Sequence, residues 1–213
     1  MRKNPKLLVR VILFSGISIA LLSLIIMLVM TPPAKIKANK SSEIGVLNHN
    51  FNLGGDFELT DYNGNRVNSH DFRGKLLLIY FGFSFCPDIC PANLVEMVAA
   101  LDKVGNKESE IVPIFITIDP RRDTPEKLKE YFLNFDSRIL ALSGSQDEIK
   151  EVARKFKVYY ARSVDGKEKL DTYLINHSSF FYLIGRDGNL IKYYTPGTDG
   201  KAMGKDMLKY IAK

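Results

Sequence analysis

The chain has 213 residues, which is room for one ordinary domain plus an extension, and it carries a formal net charge of +6. The first 40 residues hold seven Lys or Arg and no acidic residue, so the remaining 23 Lys and Arg against 24 Asp and Glu leave the rest of the chain at −1. Nucleic-acid binding is therefore excluded as the meaning of the basic pI, because the folded part offers phosphates no net positive charge.

An uncharged apolar segment runs from Val11 to Met30. As a helix it would span about 30 Å, the thickness of a bilayer core. Basic residues precede it, so we expect residues 1–10 in the cytoplasm and the rest of the chain across the membrane. A cleaved signal peptide is the alternative, but its apolar region would be about 7–15 residues long and would end in an Ala-x-Ala-like site. A mitochondrial presequence fits less well, because the start is not amphipathic. The segment is predicted to be an uncleaved transmembrane anchor.

Residues 31–48 have the composition of a linker, with Pro32-Pro33 followed by Lys, Asn and Ser and few apolar residues. From residue 49 to residue 213 strand and helix patterns alternate. Strands are predicted at about 57–60, 66–67, 75–83, 111–118, 139–142, 179–184 and 190–194. Helices are predicted at about 91–104, 125–134, 146–156 and 199–212.

Local signals support several of these elements. Residues 75–83 are almost continuously apolar, which is typical of a strand buried on both faces. Thr124 before Pro125 and a capping box at Ser145 mark helix starts. The helix after the second cysteine is expected to bury four apolar side chains, those of Leu94, Val95, Val98 and Leu101. Strands alternating with helices predict an α/β protein, and the order resembles a thioredoxin-like fold, a central mixed sheet flanked by helices.

The two cysteines of the chain, Cys86 and Cys90, lie together at a predicted strand-to-helix junction. A junction of this kind exposes the sulfurs, and the helix start favours their thiolate form. Thiolates bind soft metals, exchange disulfides or attack electrophiles. A purely structural disulfide is a poor use of this pair, because so small a loop removes little entropy from the unfolded chain.

A metal site at this junction needs ligands beyond the two sulfurs. Two thiolates select Cu(I) or zinc over hard cations, and structural zinc normally takes four protein ligands. Of the three histidines, His49 falls in the linker region and His70 in a polar turn, so both are expected on the solvated surface. His177 precedes an apolar strand and is the preferred candidate for a third ligand.

At these residues the sequence resembles a known family. The run FGFSFCPDICP at residues 81–91 is similar to the signature of the SCO/SenC family of copper-binding, membrane-anchored assembly factors for cytochrome c oxidase. Further agreement comes from TIDPRRDTP at residues 117–125, from the segment around His177 and from YLIGRDG at residues 182–188. The resemblance runs from about residue 53 to the C-terminus. It implies that Cys86, Cys90 and His177 bind one copper ion per chain, as Cu(I) with Cu(II) as a further state.

Two positions depart from the family pattern without removing a ligand. Phe85 stands where the family often has His, and Asn176 stands where it often has Asp. Loss of a carboxylate beside His177 is expected to alter the orientation and basicity of the imidazole. Asp119 has two open interpretations, a residue near the site or a turn residue before Pro120.

The resemblance implies a copper chaperone rather than an enzyme. Its partners would be an upstream copper donor or thiol reductant and the copper-bearing subunit of the oxidase, which receives copper at its dinuclear site. The domain would lie on the periplasmic side of a bacterial inner membrane, or in the intermembrane space of a mitochondrion.

Two other functions remain open. A membrane-tethered thiol-disulfide oxidoreductase would reduce the cysteines of the same subunit. The three residues between the cysteines, where such enzymes have two, and the presence of His177 favour metal binding instead. A peroxidase related to peroxiredoxins explains the fold but not His177.

Overall fold

The computed structural model describes Ser23, residues 53–163 and residues 173–212. His49, the linker 31–48 and, apart from Ser23, the predicted anchor 11–30 lie outside the described residues. Within the described part of the chain, no helix is both long and apolar enough to cross a membrane.

The described chain alternates strands and helices. Its strands are β1 (Glu58–Asp61), β2 (Arg66–Asn68), β3 (Leu76–Gly82), β4 (Ile111–Thr117), β5 (Leu140–Ser143), β6 (Tyr160–Arg162), β7 (Ile175–His177), β8 (Phe181–Ile184) and β9 (Leu190–Tyr194). Its α-helices are α1 (Ile89–Val104), α2 (Pro125–Phe132), α3 (Gln146–Lys155) and α4 (Gly200–Ile211). Two short 3-10 helices cover Ser69–Phe72 and Gly105–Glu110.

Seven of these strands form one sheet in the order β2-β1-β5-β4-β3-β8-β9. β3 pairs in parallel with β4 and β4 with β5, whereas β8 pairs antiparallel with β3. All seven residues of β3 are buried, as the apolar run predicts. The sheet is therefore mixed, and its interior strand β3 leads directly into the cysteine loop.

Helices cover both faces of this sheet. Tyr80 and Phe81 are neighbours in β3, so their side chains point to opposite faces. The hydroxyl of Tyr80 accepts a hydrogen bond from Asn93 of α1, while the ring of Phe81 lies 5.3 Å from that of Phe156, at the end of α3. The predicted α/β fold, with a central mixed sheet flanked by helices, is confirmed.

Helices α1 and α4 pack directly against each other. A Cβ atom on Gly204 of α4 would lie 2.4 Å from the carbonyl oxygen of Ala100, so only glycine allows this approach. Packing on α4 and on the sheet buries Leu94, Met97 and Leu101 of α1. Val95 is 59 % exposed, so its predicted burial is wrong. One residue beyond Leu94 the helix has turned by about 100°, away from the buried stripe.

Candidate metal centre

The cysteine loop joins the end of β3 to the start of α1. Cys86 lies in this loop and is half-buried, whereas Cys90 is the second residue of α1 and is fully buried. The backbone N–H of Cys90 donates a hydrogen bond to Cys86 Sγ over 3.4 Å. The helix start therefore directs one of its free N–H groups at the more exposed sulfur, which favours a thiolate there.

His177 reaches the cysteines from the last position of β7. Its Nε2 lies 3.4 Å from Cys90 Sγ, and its Nδ1 lies 3.0 Å from the carbonyl oxygen of Ser178. A carbonyl only accepts hydrogen bonds, so Nδ1 carries a proton, and Nε2 is the ring nitrogen that faces the sulfurs. A metal-binding imidazole requires this arrangement, in which the nitrogen away from the metal donates to a backbone carbonyl.

Cys86, Cys90 and His177 thus form one cluster. Their two Sγ atoms and one imidazole nitrogen all lie within 4.8 Å of one another. His70 takes no part in it: the side chain is exposed, and its Nε2 lies 3.2 Å from Asp56 Oδ2. The structure brings together the three residues that the sequence predicts as ligands. Two sulfurs with one imidazole suit a soft ion such as Cu(I).

Comparison with known proteins shows the family of this chain. The model of the SCO1/SenC family matches residues 46–212. The chain belongs to the SCO1/SenC family. A SCO2-like protein from Rickettsia typhi is 43 % identical over 185 residues, which cover 87 % of this chain and 89 % of the relative.

Solved structures of Sco proteins share the fold. ScoI of Arabidopsis thaliana, solved with copper bound, is 38 % identical and has a TM-score of 0.69, covering 75 % of this chain and 98 % of that one. BsSco, described as having a disulfide switch and as a member of the Sco family of cytochrome c oxidase assembly proteins, is 25 % identical with a TM-score of 0.59. That match covers 75 % of this chain and 94 % of BsSco.

In the metal-free form of this SCO1/SenC chain, the pKa values of the two thiols are shifted in opposite directions. A hydrogen bond from Cys90 lowers the pKa of Cys86 to about 4, with help from His177 and from backbone N–H groups and against the effect of burial. The same hydrogen bond and burial raise the pKa of Cys90. The reduced pair therefore holds one proton on the buried sulfur and a negative charge on the accessible one.

This asymmetry predicts selective alkylation. Iodoacetamide, which reacts with thiolates, should modify Cys86 of the reduced, metal-free protein at about pH 6, where an ordinary thiol is almost unreactive. The rate should stay nearly constant between about pH 8 and pH 5, because the pKa of Cys86 lies below this range. Peptide mapping after timed quenching measures it, with the urea-unfolded chain as the control. If the alkylation rate of the folded protein instead falls about tenfold for each unit by which the pH is lowered, Cys86 is an ordinary thiol and the prediction is wrong.

Aromatic side chains enclose the cluster from inside the fold. The His177 ring meets Phe83 edge to face at 5.8 Å and Tyr80 at 6.4 Å between centroids. Burial raises the pKa of Tyr80, so its hydroxyl stays protonated. A Cβ atom on Gly82 would lie 3.1 Å from Cys90 Sγ and 2.9 Å from an atom of the Tyr80 ring. Any larger residue at position 82 would therefore displace the Cys90 thiol or the Tyr80 ring.

Asp123 anchors the cysteine loop, a role that sequence reasoning missed. This fully buried carboxylate accepts hydrogen bonds from the backbone N–H of Ser84 over 3.0 Å, from the Ser84 hydroxyl and from the Thr117 hydroxyl over 2.6 Å. Burial raises its pKa. The signal was available, because Asp123 belongs to the segment 117–125 that carries part of the family resemblance.

The family departure at Asn176 has little structural consequence for His177. Asn176 is exposed and pairs with Ala161 across β6 and β7, so alternation along the strand points it away from the His177 side. The group that orients the imidazole is the carbonyl of Ser178. The expectation that a missing carboxylate at position 176 reorients the imidazole is not supported by this contact.

The two interpretations of Asp119 are compatible. Its carbonyl accepts from the backbone N–H groups of Arg122 and Asp123, as a turn residue does. Its side chain is only 2 % exposed and accepts a hydrogen bond from the Tyr173 hydroxyl over 2.5 Å. Asp119 is not a member of the three-residue cluster.

Proposed function

We propose that this protein is a membrane-anchored copper chaperone that delivers copper to the dinuclear copper site of cytochrome c oxidase during assembly. The observation that carries the proposal is the cluster of Cys86, Cys90 and His177, whose soft donor atoms lie within 4.8 Å of one another. Support comes from the copper-bound ScoI structure and from the description of the Sco family as oxidase assembly proteins. In this account the protein is not an enzyme, and copper is its cargo.

The geometry gives each ligand a distinct task. Cys90 is fully buried and holds the inner side of the cargo, while Cys86 is half-buried and faces the side from which an acceptor approaches. Cys86 is already a thiolate at neutral pH, so only Cys90 has to release a proton when Cu(I) binds. An acceptor thiolate then displaces Cys86 first, which makes release a stepwise exchange of ligands.

Copper loading tests this proposal. The chain in reduced form, prepared under argon and offered excess Cu(I), should retain one copper per chain after gel filtration, measured by atomic absorption together with amino-acid analysis. Cys86, Cys90 and His177 are the single group of three or more His, Cys, Asp or Glu side chains among the described residues that could hold a metal ion. A chain that emerges without copper, or that holds copper equally well after alkylation of both thiols, would contradict the proposal.

The alternative function is a thiol-disulfide oxidoreductase that reduces the cysteines of the oxidase copper site. The acidity of Cys86 favours it, because a half-buried thiolate beside a buried thiol is the arrangement of an attacking and a resolving cysteine. BsSco is described as having a disulfide switch. His177 is the residue that separates the two functions, since dithiol exchange does not need it.

The proposal includes a membrane topology. The apolar segment 11–30 would span the inner membrane of a bacterium or a mitochondrion, with residues 1–10 on the inner side and residues 41–213 facing the periplasm or the intermembrane space. A periplasm-dependent reporter fused after Lys40 should be active and a cytoplasm-dependent reporter inactive. Release of the domain from membranes by carbonate alone would contradict an uncleaved anchor.

A further inference from the structure

Arg122 packs against two aromatic rings near the cluster. Its guanidinium carbon is 3.6 Å from the centroid of the Tyr173 ring and 4.7 Å from that of the Phe85 ring. Phe85 directly precedes Cys86, and Tyr173 lies four residues before His177 on the segment that leads into β7. The Arg122 side chain is 9 % exposed. A buried guanidinium thus contacts the residue before one cysteine and a residue of the segment that leads to His177.

A single carboxylate holds this arrangement in place. Arg122 Nε donates to Asp119 Oδ2, and the Tyr173 hydroxyl donates to Asp119 Oδ1 over 2.5 Å. Arg122 Nη2 is buried without a hydrogen-bond partner among the described residues. An unsatisfied buried donor costs stability. The contacts that compensate for it are the stacks on two aromatic faces, which suit the flat guanidinium better than an ammonium group.

The imidazole and the thiols come from distant parts of the sequence. Cys90 and His177 are 87 residues apart in sequence and belong to different elements, α1 and β7. The small β6-β7 pair is separate from the seven-stranded sheet that carries the cysteine loop. Beyond β7 the chain is held to β3, because Phe181 of β8 pairs with Tyr80. Before β7 the contacts of Arg122 form a second connection to the cysteine loop, so they contribute to preorganisation of the metal-free site, which adds directly to affinity.

We propose that Arg122 is a positioning residue for the copper site, which holds the cysteine loop against the histidine strand by stacking between Phe85 and Tyr173. The inference rests on the proposed ligand set of Cys86, Cys90 and His177. In this protein Phe85 supplies one face of the stack, which gives a structural role to a position where the family often has another residue. Arg122 acts through the ligands and does not itself touch the cargo.

The test is a Cu(I) competition titration against a chromophoric chelator. Arg122→Gln should bind Cu(I) about tenfold more weakly than the parent, equivalent to about 1.4 kcal/mol. Arg121→Gln is the matched control, because it removes the same charge from the adjacent exposed residue, and it should bind as the parent does. The reduction potential of the Cys86–Cys90 pair should be the same in all three proteins, since both cysteines lie on one side of the stack.

Coupling to His177 separates positioning from a general structural role. In a His177→Ala background, Arg122→Gln should cause no further loss of Cu(I) affinity, because there is no imidazole left to position. Arg122→Lys keeps the charge beside Asp119 but not the flat stack, so it should recover thermal stability without recovering affinity. Phe85→Leu removes one face of the stack, and because Phe85 is 45 % exposed the change should be tolerated by the fold. It should also weaken Cu(I) binding, and it serves as the test variant if Arg122→Gln does not fold.

The possible failures are distinguishable. If the parent binds Cu(I) through the three ligands and Arg122→Gln and Phe85→Leu bind it equally tightly, the positioning role is wrong and the ligand set stands. If Arg122→Gln weakens binding by the same factor with and without His177, its effect is structural and the inference also fails. If the parent itself does not bind Cu(I), the proposed function fails instead.

Discussion

Replacing either cysteine by serine is expected to abolish tight Cu(I) binding. Serine keeps the size of the side chain but substitutes a hard, protonated hydroxyl for a soft thiolate, and Cu(I) strongly prefers sulfur. The remaining sulfur and His177 leave a two-coordinate site with only one anionic donor. Loss of a residue that only hydrogen-bonds to a metal ligand typically lowers the affinity about 10- to 100-fold. Loss of a ligand itself should lower the Cu(I) affinity by more than this.

The two substitutions should differ in a second property. Cys90→Ser leaves the accessible sulfur and replaces the buried thiol by a hydroxyl that can still donate to it, so the pKa of Cys86 should stay below its ordinary value and Cys86 should remain open to alkylation. Cys86→Ser leaves only the buried thiol, which should resist alkylation in the folded protein. Competition titrations and thermal unfolding of each variant measure binding and folding separately. A single variant that is folded and holds Cu(I) as tightly as the parent would overturn the two-thiolate site.

His177→Ala is expected to separate copper binding from thiol chemistry. The imidazole closes the site, with its Nε2 3.4 Å from Cys90 Sγ, so its loss should weaken Cu(I) binding at least about tenfold. Dithiol exchange needs only an attacking and a leaving sulfur, so the Cys86–Cys90 pair should still form a disulfide and exchange with a test dithiol. His70→Ala is the matched control, because His70 is exposed and outside the cluster.

The same variant distinguishes the two functions in cells. If delivery is the function, cells carrying His177→Ala should lose oxidase activity as severely as cells carrying either cysteine variant, while His70→Ala cells keep it. Normal oxidase activity in His177→Ala cells at ordinary copper supply, with failure of the cysteine variants, would instead support the oxidoreductase. Immunoblots for chain abundance accompany the activity measurement, so that a loss of protein is not mistaken for a loss of function.

Most of the domain could be predicted from the sequence because its signals are local. The apolar run of β3, the Thr124 cap before Pro125 and the capping box at Ser145 each specify an element from neighbouring residues alone. The cysteine junction was predictable for the same reason, since Cys86 and Cys90 are four residues apart. Elements whose formation depends on nearby sequence were therefore found.

The features that were missed depend on distant partners. Strands β6 and β7 have only three residues each, which gives no visible alternation, and the second of them places His177. The exposure of Val95 follows from where α1 meets α4 and the sheet, which hydrophobicity alone does not reveal. Likewise the contacts of Asp123 with Ser84 and of Arg122 with Tyr173 join segments about 40 to 50 residues apart.

Direct transfer of copper tests the central claim. The chain, loaded with one Cu(I), is mixed anaerobically with the reduced soluble domain of the oxidase copper-bearing subunit, the two are separated, and copper is counted in each. A chaperone that exchanges ligands at Cys86 predicts that copper moves to the acceptor, even with a chelator present that scavenges free Cu(I). Copper that stays on the chain, or reaches the acceptor only as the scavengeable free ion, would contradict delivery by this protein.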